Sequence, residues 1–156
     1  MIKRREIILE IKPIYRKNKQ ELLPLLLLGD EQESMIDQYF EKSTMFGLYQ
    51  GTLLCGIIAI TFERENLYEI KNMAVLPEFQ RQGYGRMLIE YVFQQYGQPG
   101  MVFQVGTGEV PSTVGFYQAC GFQISHKIKD FFLQYDHPIY EDGIQLRDMI
   151  YLKKVL

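Results

Sequence analysis

Residues 72–88 read NMAVLPEFQRQGYGRML. A strand-like apolar run meets Pro77, which has no N–H to give to a β-ladder. A polar loop with Gly83 and Gly85 follows, and then a helical stripe of Met87, Leu88, Tyr91 and Val92. Two close glycines where strand turns into helix have two readings. They form a tight turn, or they leave backbone amides bare so that an anion can approach. The first amides of a helix lack intrahelical partners and carry the positive end of its dipole. Gln80, Arg81, Gln82, Gly83, Tyr84, Gly85 and Arg86 therefore suit a pyrophosphate. A P-loop is excluded because no Gly-Lys-Ser/Thr follows, and the three-glycine dinucleotide fingerprint is missing. Spacing alone leaves the turn reading ahead.

Upstream of this stretch, residues 67–75 read as a central strand, entered through the polar turn REN. Before it, MFGLY and TLLCGIIAITFE form a hairpin about Gln50–Gly51, with the second strand apolar almost throughout and so central in the sheet. Residues 6–14 are β-like. Pro24 suits the first position of a short helix over 24–28, stopped by Gly29, and Asp30 can cap a second helix over 31–42. Downstream, a helix is expected over 83–96, ended by GQPG. A buried strand over 101–105 is closed by Gly106 and Gly108. A short helix over 112–120 follows, ended by Gly121, and then a strand over 122–128. The tail reads as loop with a helical turn and a last strand over 145–153. Strands and helices mixed in this order mean α/β or α+β on one sheet, residues 1–156 forming a single domain.

The chain has 156 residues, 47% apolar and 23% charged, with a net charge of −2. That composition allows one domain with its own core and supplies no basic field for nucleic acid. The basic opening segment MIKRREIILEIKPIYRKNK has no signal-peptide core, because Glu6, Glu10 and Lys12 interrupt its apolar residues. The apolar run over 22–28 is far short of the ~20 residues that cross a bilayer. No membrane partner is expected, and the cytoplasm is the default location. Cys55 and Cys120 read as reduced core thiols, and the lone His126 and His137 do not suggest a metal.

A second motif tips the loop toward the ligand-binding reading. V-x-P-x-x-Q-R-Q-G-Y-G-R-x-L, from Val75 to Leu88, resembles the acyl-CoA-binding motif of the GNAT superfamily of N-acyltransferases, with Gln80, Gly83 and Gly85 at its key positions. GFYQACGF, from Gly115 to Phe122, is similar to that family's Phe-Tyr-x-x-x-Gly-Phe segment. The resemblance implies a central mixed, mostly antiparallel twisted sheet of six to seven strands flanked by about four helices. It implies acetyl-CoA as co-substrate, with no metal. The pantetheine arm would bond backbone groups of Met73, Ala74 and Val75, and the amides over 80–85 would hold the pyrophosphate. GTGE after the fifth strand departs from relatives that carry an asparagine there.

The chemistry sets its own demands. A primary amine with a pKa near ~10.4 is protonated at neutral pH and cannot attack a thioester. A base must take its proton, a donor must meet the departing thiolate, and an amide must face the carbonyl oxygen. The resemblance puts Tyr117 in the acid role and Glu69 in the base role, while Glu69 can also simply pair with Lys71. Strict alternation places Glu69 on the face of Lys71, Met73 and Val75. A buried-strand carboxylate is expected to have a raised pKa. Val75 N–H is the candidate oxyanion donor, and Glu109 is a reserve base.

The tail mixes Phe131, Phe132, Tyr135 and Tyr140 with Asp130, Asp136, Glu141 and Asp142. An acidic, aromatic mouth favours a cationic amine. The partner expected is a small-molecule or peptide amine, with the chain a monomer or homodimer. The rival reading is a non-catalytic acyl-CoA-binding sensor or partner-binding module.

Overall fold

The computed structural model describes residues 8–156. Residues 6 and 7 of the first expected strand lie outside that range. The strands are β1 (Leu9–Pro13), β2 (Thr44–Gln50), β3 (Leu53–Arg64), β4 (Leu67–Val75), β5 (Val102–Gly108) and β6 (Gln123–Ile128), then β7 (Tyr140–Glu141), β8 (Ile144–Gln145) and β9 (Met149–Val155). The helices are α1 (Lys19–Gly29), α2 (Glu33–Asp37), α3 (Tyr84–Tyr96) and α4 (Pro111–Ala119). Single 3-10 turns cover Pro77–Phe79 and Phe131–Gln134. Seven strands form one sheet in the order β1-β2-β3-β4-β5-β9-β6. Among the described residues only the β4–β5 pairing is parallel. A separate two-stranded hairpin, β7–β8, stands outside it.

β3 explains why helices cover both faces. Its residues 55–61 are buried without a break, as a strand roofed on both sides requires. Ile58 and Ile60 pack with Leu88, Ile89 and Val92 of α3. Ile57 and Ala59 point the other way, into a core with Leu25 and Leu26 of α1 and Ile36 of α2. A smaller cluster of Val110, Phe132, Ile139 and Leu146 fixes the tail.

Four local expectations change. α1 starts at Lys19, with Pro24 inside it, because Asn18 caps the helix and accepts from Glu21 N–H at 3.2 Å. Asn18-x-x-Glu21 is the start signal, and it outweighs the proline. Asp30 consequently ends α1, and α2 is shorter than expected, with Gln32 before it. Gly106 and Gly108 belong to β5, opposite Tyr151 and Met149 of β9. A Cβ at Gly106 would lie 2.5 Å from Met149 Sδ, so these glycines admit neighbouring side chains and do not close the strand. The last strand begins at Met149, since β7 and β8 take up part of the tail.

Leu88 is fully buried where α3 meets the sheet. Leu88→Ala is expected to lower unfolding stability by about 2–5 kcal/mol in urea titration, with the slope of the transition unchanged.

Candidate active site

β4 and β5 share only four register pairs, Leu67↔Val102 to Ile70↔Val105. Beyond them, β4 continues along β3 as far as Val75↔Gly56, and β5 continues along β9 as far as Gly108↔Met149. The two strands part, and the space between them opens into a cleft of about 860 Å3. Leu76 N–H donates to Cys55 C=O at 2.8 Å. Alternation along the strand then turns the peptide groups of Val75 and Met73 away from β3 and into the gap, while those of Ala74 face β3. Ala74 is thus on the wall without a free main-chain group. Val75 C=O already accepts from Gln80 Nε2 at 2.9 Å.

A bulge sits within β4. Ala59 faces Asn72 but Ile60 faces Ile70, which leaves Lys71 as the extra residue. An extra residue reverses the two-residue alternation. Tyr68, Ile70, Met73 and Val75 therefore all pack into the α3-side core. Glu69, opposite Thr61 and Gln104, lies on the other face. The shared face expected for Glu69, Met73 and Val75 does not exist, because strict alternation fails at Lys71.

The glycine loop meets the end of β4. Gly83 is the N-cap of α3 at φ 85°, a left-handed conformation suited to glycine, and no side chain caps the helix. A Cβ at Gly83 would meet nothing within 4 Å, so the space before the helix is open. At Gly85 the constraint is packing, since a Cβ would come within 3.3 Å of Met73 Cε and Phe116 Cζ. The first intrahelical bond runs from Met87 N–H to Gly83 C=O. The amides of Tyr84, Gly85 and Arg86 therefore precede the helical ladder. The Tyr84 ring is buried and stacks on Phe79, so this residue can offer the loop only its backbone. Gln82 Nε2 is bonded to Glu78 C=O at 3.2 Å, while Arg81 is exposed and Arg86 pairs with Glu90 at 3.0 Å. Open space, unsatisfied amides and two arginines fit a pyrophosphate.

Tyr117 lines the same cleft from α4, edge-on to Phe116 and Phe122. Burial pushes its phenol well above the ordinary tyrosine value, so it stays protonated. Glu69, 4% exposed, has three polar neighbours. Gln104 Nε2 donates to Oε1 at 2.6 Å, Lys71 Nζ pairs with Oε2, and the Tyr151 hydroxyl lies near the carboxylate. Burial first, and the Glu69 charge second, push the Tyr151 phenol up. Glu109 is exposed and pairs with Lys127 at 2.9 Å, away from the cleft lining.

The end of the cleft opposite the loop is built from α1, α2 and the tail. Asn72 donates through Nδ2 to Leu26 C=O at 2.9 Å and to Tyr39 Oη at 3.0 Å. Tyr39 donates on to Asp30 at 3.2 Å, and Tyr135 donates to the other Asp30 oxygen at 2.7 Å. Burial raises the Asp30 carboxyl above its ordinary value, while the two tyrosine bonds work against that rise. Of the four tail acids only Glu141 lines the cleft; Asp130 pairs with Arg147 at 3.6 Å and Asp142 bonds Ser112. Phe131, Phe132 and Tyr135 line it, and Tyr140 is exposed elsewhere. Asn72, Gln104 and Tyr151 carried no sequence signal. Asp30 had one, a polar residue after a helix-stopping glycine, but it read as a cap.

Known proteins resemble this chain in sequence and in fold. The acetyltransferase (GNAT) domain family matches residues 41–124. The uncharacterized N-acetyltransferase YvbK of Bacillus subtilis is 34% identical over 139 residues, 87% of this chain and 90% of that protein. The crystal structure of a Bacillus subtilis acetyltransferase in complex with CoA superposes with a TM-score of 0.83 at 34% identity, covering 96% of this chain and 99% of that one. A GNAT family acetyltransferase from Elizabethkingia anophelis with acetyl-CoA bound gives 0.84 at 30% identity, covering 95% and 98%. A domain match over more than half of the chain, together with likeness along nearly its whole length, makes this protein a member of the GNAT family of acetyltransferases.

Proposed function

We propose that the protein moves an acetyl group from acetyl-CoA to a primary amine by direct attack within a ternary complex. The observation that carries this reading is the parting of β4 from β5 beyond Ile70 and Val105, with the uncapped start of α3 at one end of the gap. The family relatives with CoA and acetyl-CoA bound support it.

Acetyl-CoA supplies an activated thioester, and the chain's own groups do the rest. The amides over 80–85, with Arg81 and Arg86, hold the pyrophosphate. Val75 and Met73 offer the N–H groups that face the gap. Val75 is nearer the phosphate loop and takes the pantetheine arm. Met73 lies deeper, toward the point where the strands meet, so its N–H takes over the carbonyl-oxygen role first assigned to Val75. Tyr117, kept protonated by burial, donates to the sulfur as negative charge develops there. Glu69 accepts the amine proton, and Gln104 and Lys71 keep its carboxylate in place. A sensor without turnover has no use for both Tyr117 and Glu69 in the lining of one cleft.

Acetyl-CoA at about 100 times its Kd should stabilise the protein by about 2.7 kcal/mol. That raises the melting temperature by roughly 5–10 °C for a domain of this size. Gly83→Glu should lose the shift, whatever its own melting temperature; no shift in the parent at millimolar acetyl-CoA would end this reading. On any amine that turns over, Tyr117→Phe is expected to lower kcat by about 10²-fold. Glu69→Gln is expected to lower kcat/KM and change its pH profile, and an unchanged profile removes Glu69 as the base.

A further inference from the structure

The cleft separates its charges. Arg81 and Arg86 stand at the loop end, whereas Asp30, Glu31 and Glu141 line the other. Lys71, the remaining cleft lysine, is committed to Glu69 and Glu63. The Asp30 carboxylate is half-buried, and among the described residues no lysine, arginine or histidine nitrogen lies within 4 Å of it. Its neighbours are hydroxyls, and each hydrogen bond in the chain Asn72, Tyr39, Asp30 and back from Tyr135 points its proton toward this carboxylate. α1 ends beside it with no basic residue in its last turn, so nothing in the helix offsets the negative end of the dipole.

A second observation points to a ligand. Asn72, 4% exposed, has its Oδ1 buried without any hydrogen-bond partner. That oxygen is held against the end of α1, where a Cβ on Gly29 would lie 2.1 Å from it, and both residues line the cleft. An unpaired buried acceptor leaves the negative end of its dipole uncompensated. A carboxylate without a counter-ion, next in the chain to Gly29 against which that uncompensated oxygen packs, calls for a positively charged group. The rings of Tyr39, Tyr135 and Phe131 suit the same group.

We propose that the Asp30–Tyr39–Tyr135 site seats a second, non-reacting positive charge of the acceptor, whose natural class is therefore a diamine-like dication. This rests on the acetyl-transfer reading of the same cleft. In the reaction the uncharged amine nitrogen forms a bond to the acetyl carbon, and the C–S bond breaks with its electron pair leaving on sulfur. The proton lost from the amine balances the one gained by the thiolate. The second ammonium changes no bond; it remains on Asp30 and sets the distance of the reacting amine from the thioester.

The test compares α,ω-diaminoalkanes of increasing length with n-alkylamines and ω-amino acids of matched length, following CoA thiol release. The wild type should prefer the best diamine over its matched alkylamine by about tenfold or more in kcat/KM, and the ω-amino acid should be poorest. Asp30→Asn should reduce the diamine-to-alkylamine ratio to near one. Absence of the preference in the wild type, or its survival in Asp30→Asn, overturns the proposal; the wild-type series decides alone if the variant does not fold. If no amine turns over, calorimetry of diamine binding to the CoA-loaded protein takes its place, and absence of binding overturns the proposal. An acetyl-CoA melting shift without any diamine preference defeats this inference alone, whereas loss of the shift defeats the acetyl-transfer reading.

Stability gives an independent readout. A carboxyl raised by folding penalises the folded state in full at pH above its folded value, and the penalty fades as pH falls toward the unfolded value of about 3.9 and is gone below it. Asp30→Asn should therefore raise the melting temperature of the ligand-free protein at pH 7, with the gain shrinking toward pH 3. A purely structural clamp predicts a fall at pH 7 instead.

Discussion

Where β4 and β5 stop pairing, each strand keeps one hydrogen-bonded neighbour and loses the other. Peptide groups on a bare strand edge in the middle of a sheet must find partners, because buried backbone donors and acceptors are costly to leave unpaired. The parting therefore makes a slot with the polarity of a missing strand. α3 begins where β4 ends and α4 follows the end of β5, so helices attach on both sides of the slot. The glycine loop, Tyr117, Met73 and Val75 all border that opening.

The bulge at Lys71 divides labour between the two faces of the sheet. It lets Met73 and Val75 join the α3-side core while Glu69 and Asn72 lie on the face that α1 covers in part. Without the extra residue a single face would carry both the packing contacts of α3 and the ionisable groups of the cleft. Electrostatics then runs along the cleft, from arginines near the loop to the carboxylates of Asp30 and Glu31 near α1. A long molecule with phosphates at one end and an amine partner at the other would match that gradient without extra charge on the protein.

Much of this was legible in the sequence, and the limits have physical causes. β4 has the boundaries read from the sequence, because Asn66 turns the chain before it and Pro77 stops the ladder after it. The hairpin, the glycine loop and α3 were readable for the same reason: periodicity and punctuation agree there. At Pro24 they disagree, and the Asn18–Glu21 cap prevails. The tail held an overlooked signal, Asp142-Gly143, where both residues take positive φ, 50° and 76°, as a tight hairpin turn requires. The bulge leaves no mark, since Lys71 fits a regular alternation as well as an irregular one. Asn72 was hidden because its role depends on α1, 46 residues earlier in the chain.

The place of β9 in the sheet has a consequence for the order of assembly. The chain makes β5 and β6 first, yet in the finished sheet they never touch, since β9 lies between them. β1 to β4 can zip up as nearest neighbours while translation is still in progress. The far wall of the cleft is a different matter: β6 has no pairing in the main sheet before β9 arrives. Closing such distant pairings is slow relative to hairpins. During synthesis, then, β1 to β4 can stand as a platform, and the far side of the sheet is completed only when β9 enters between β5 and β6.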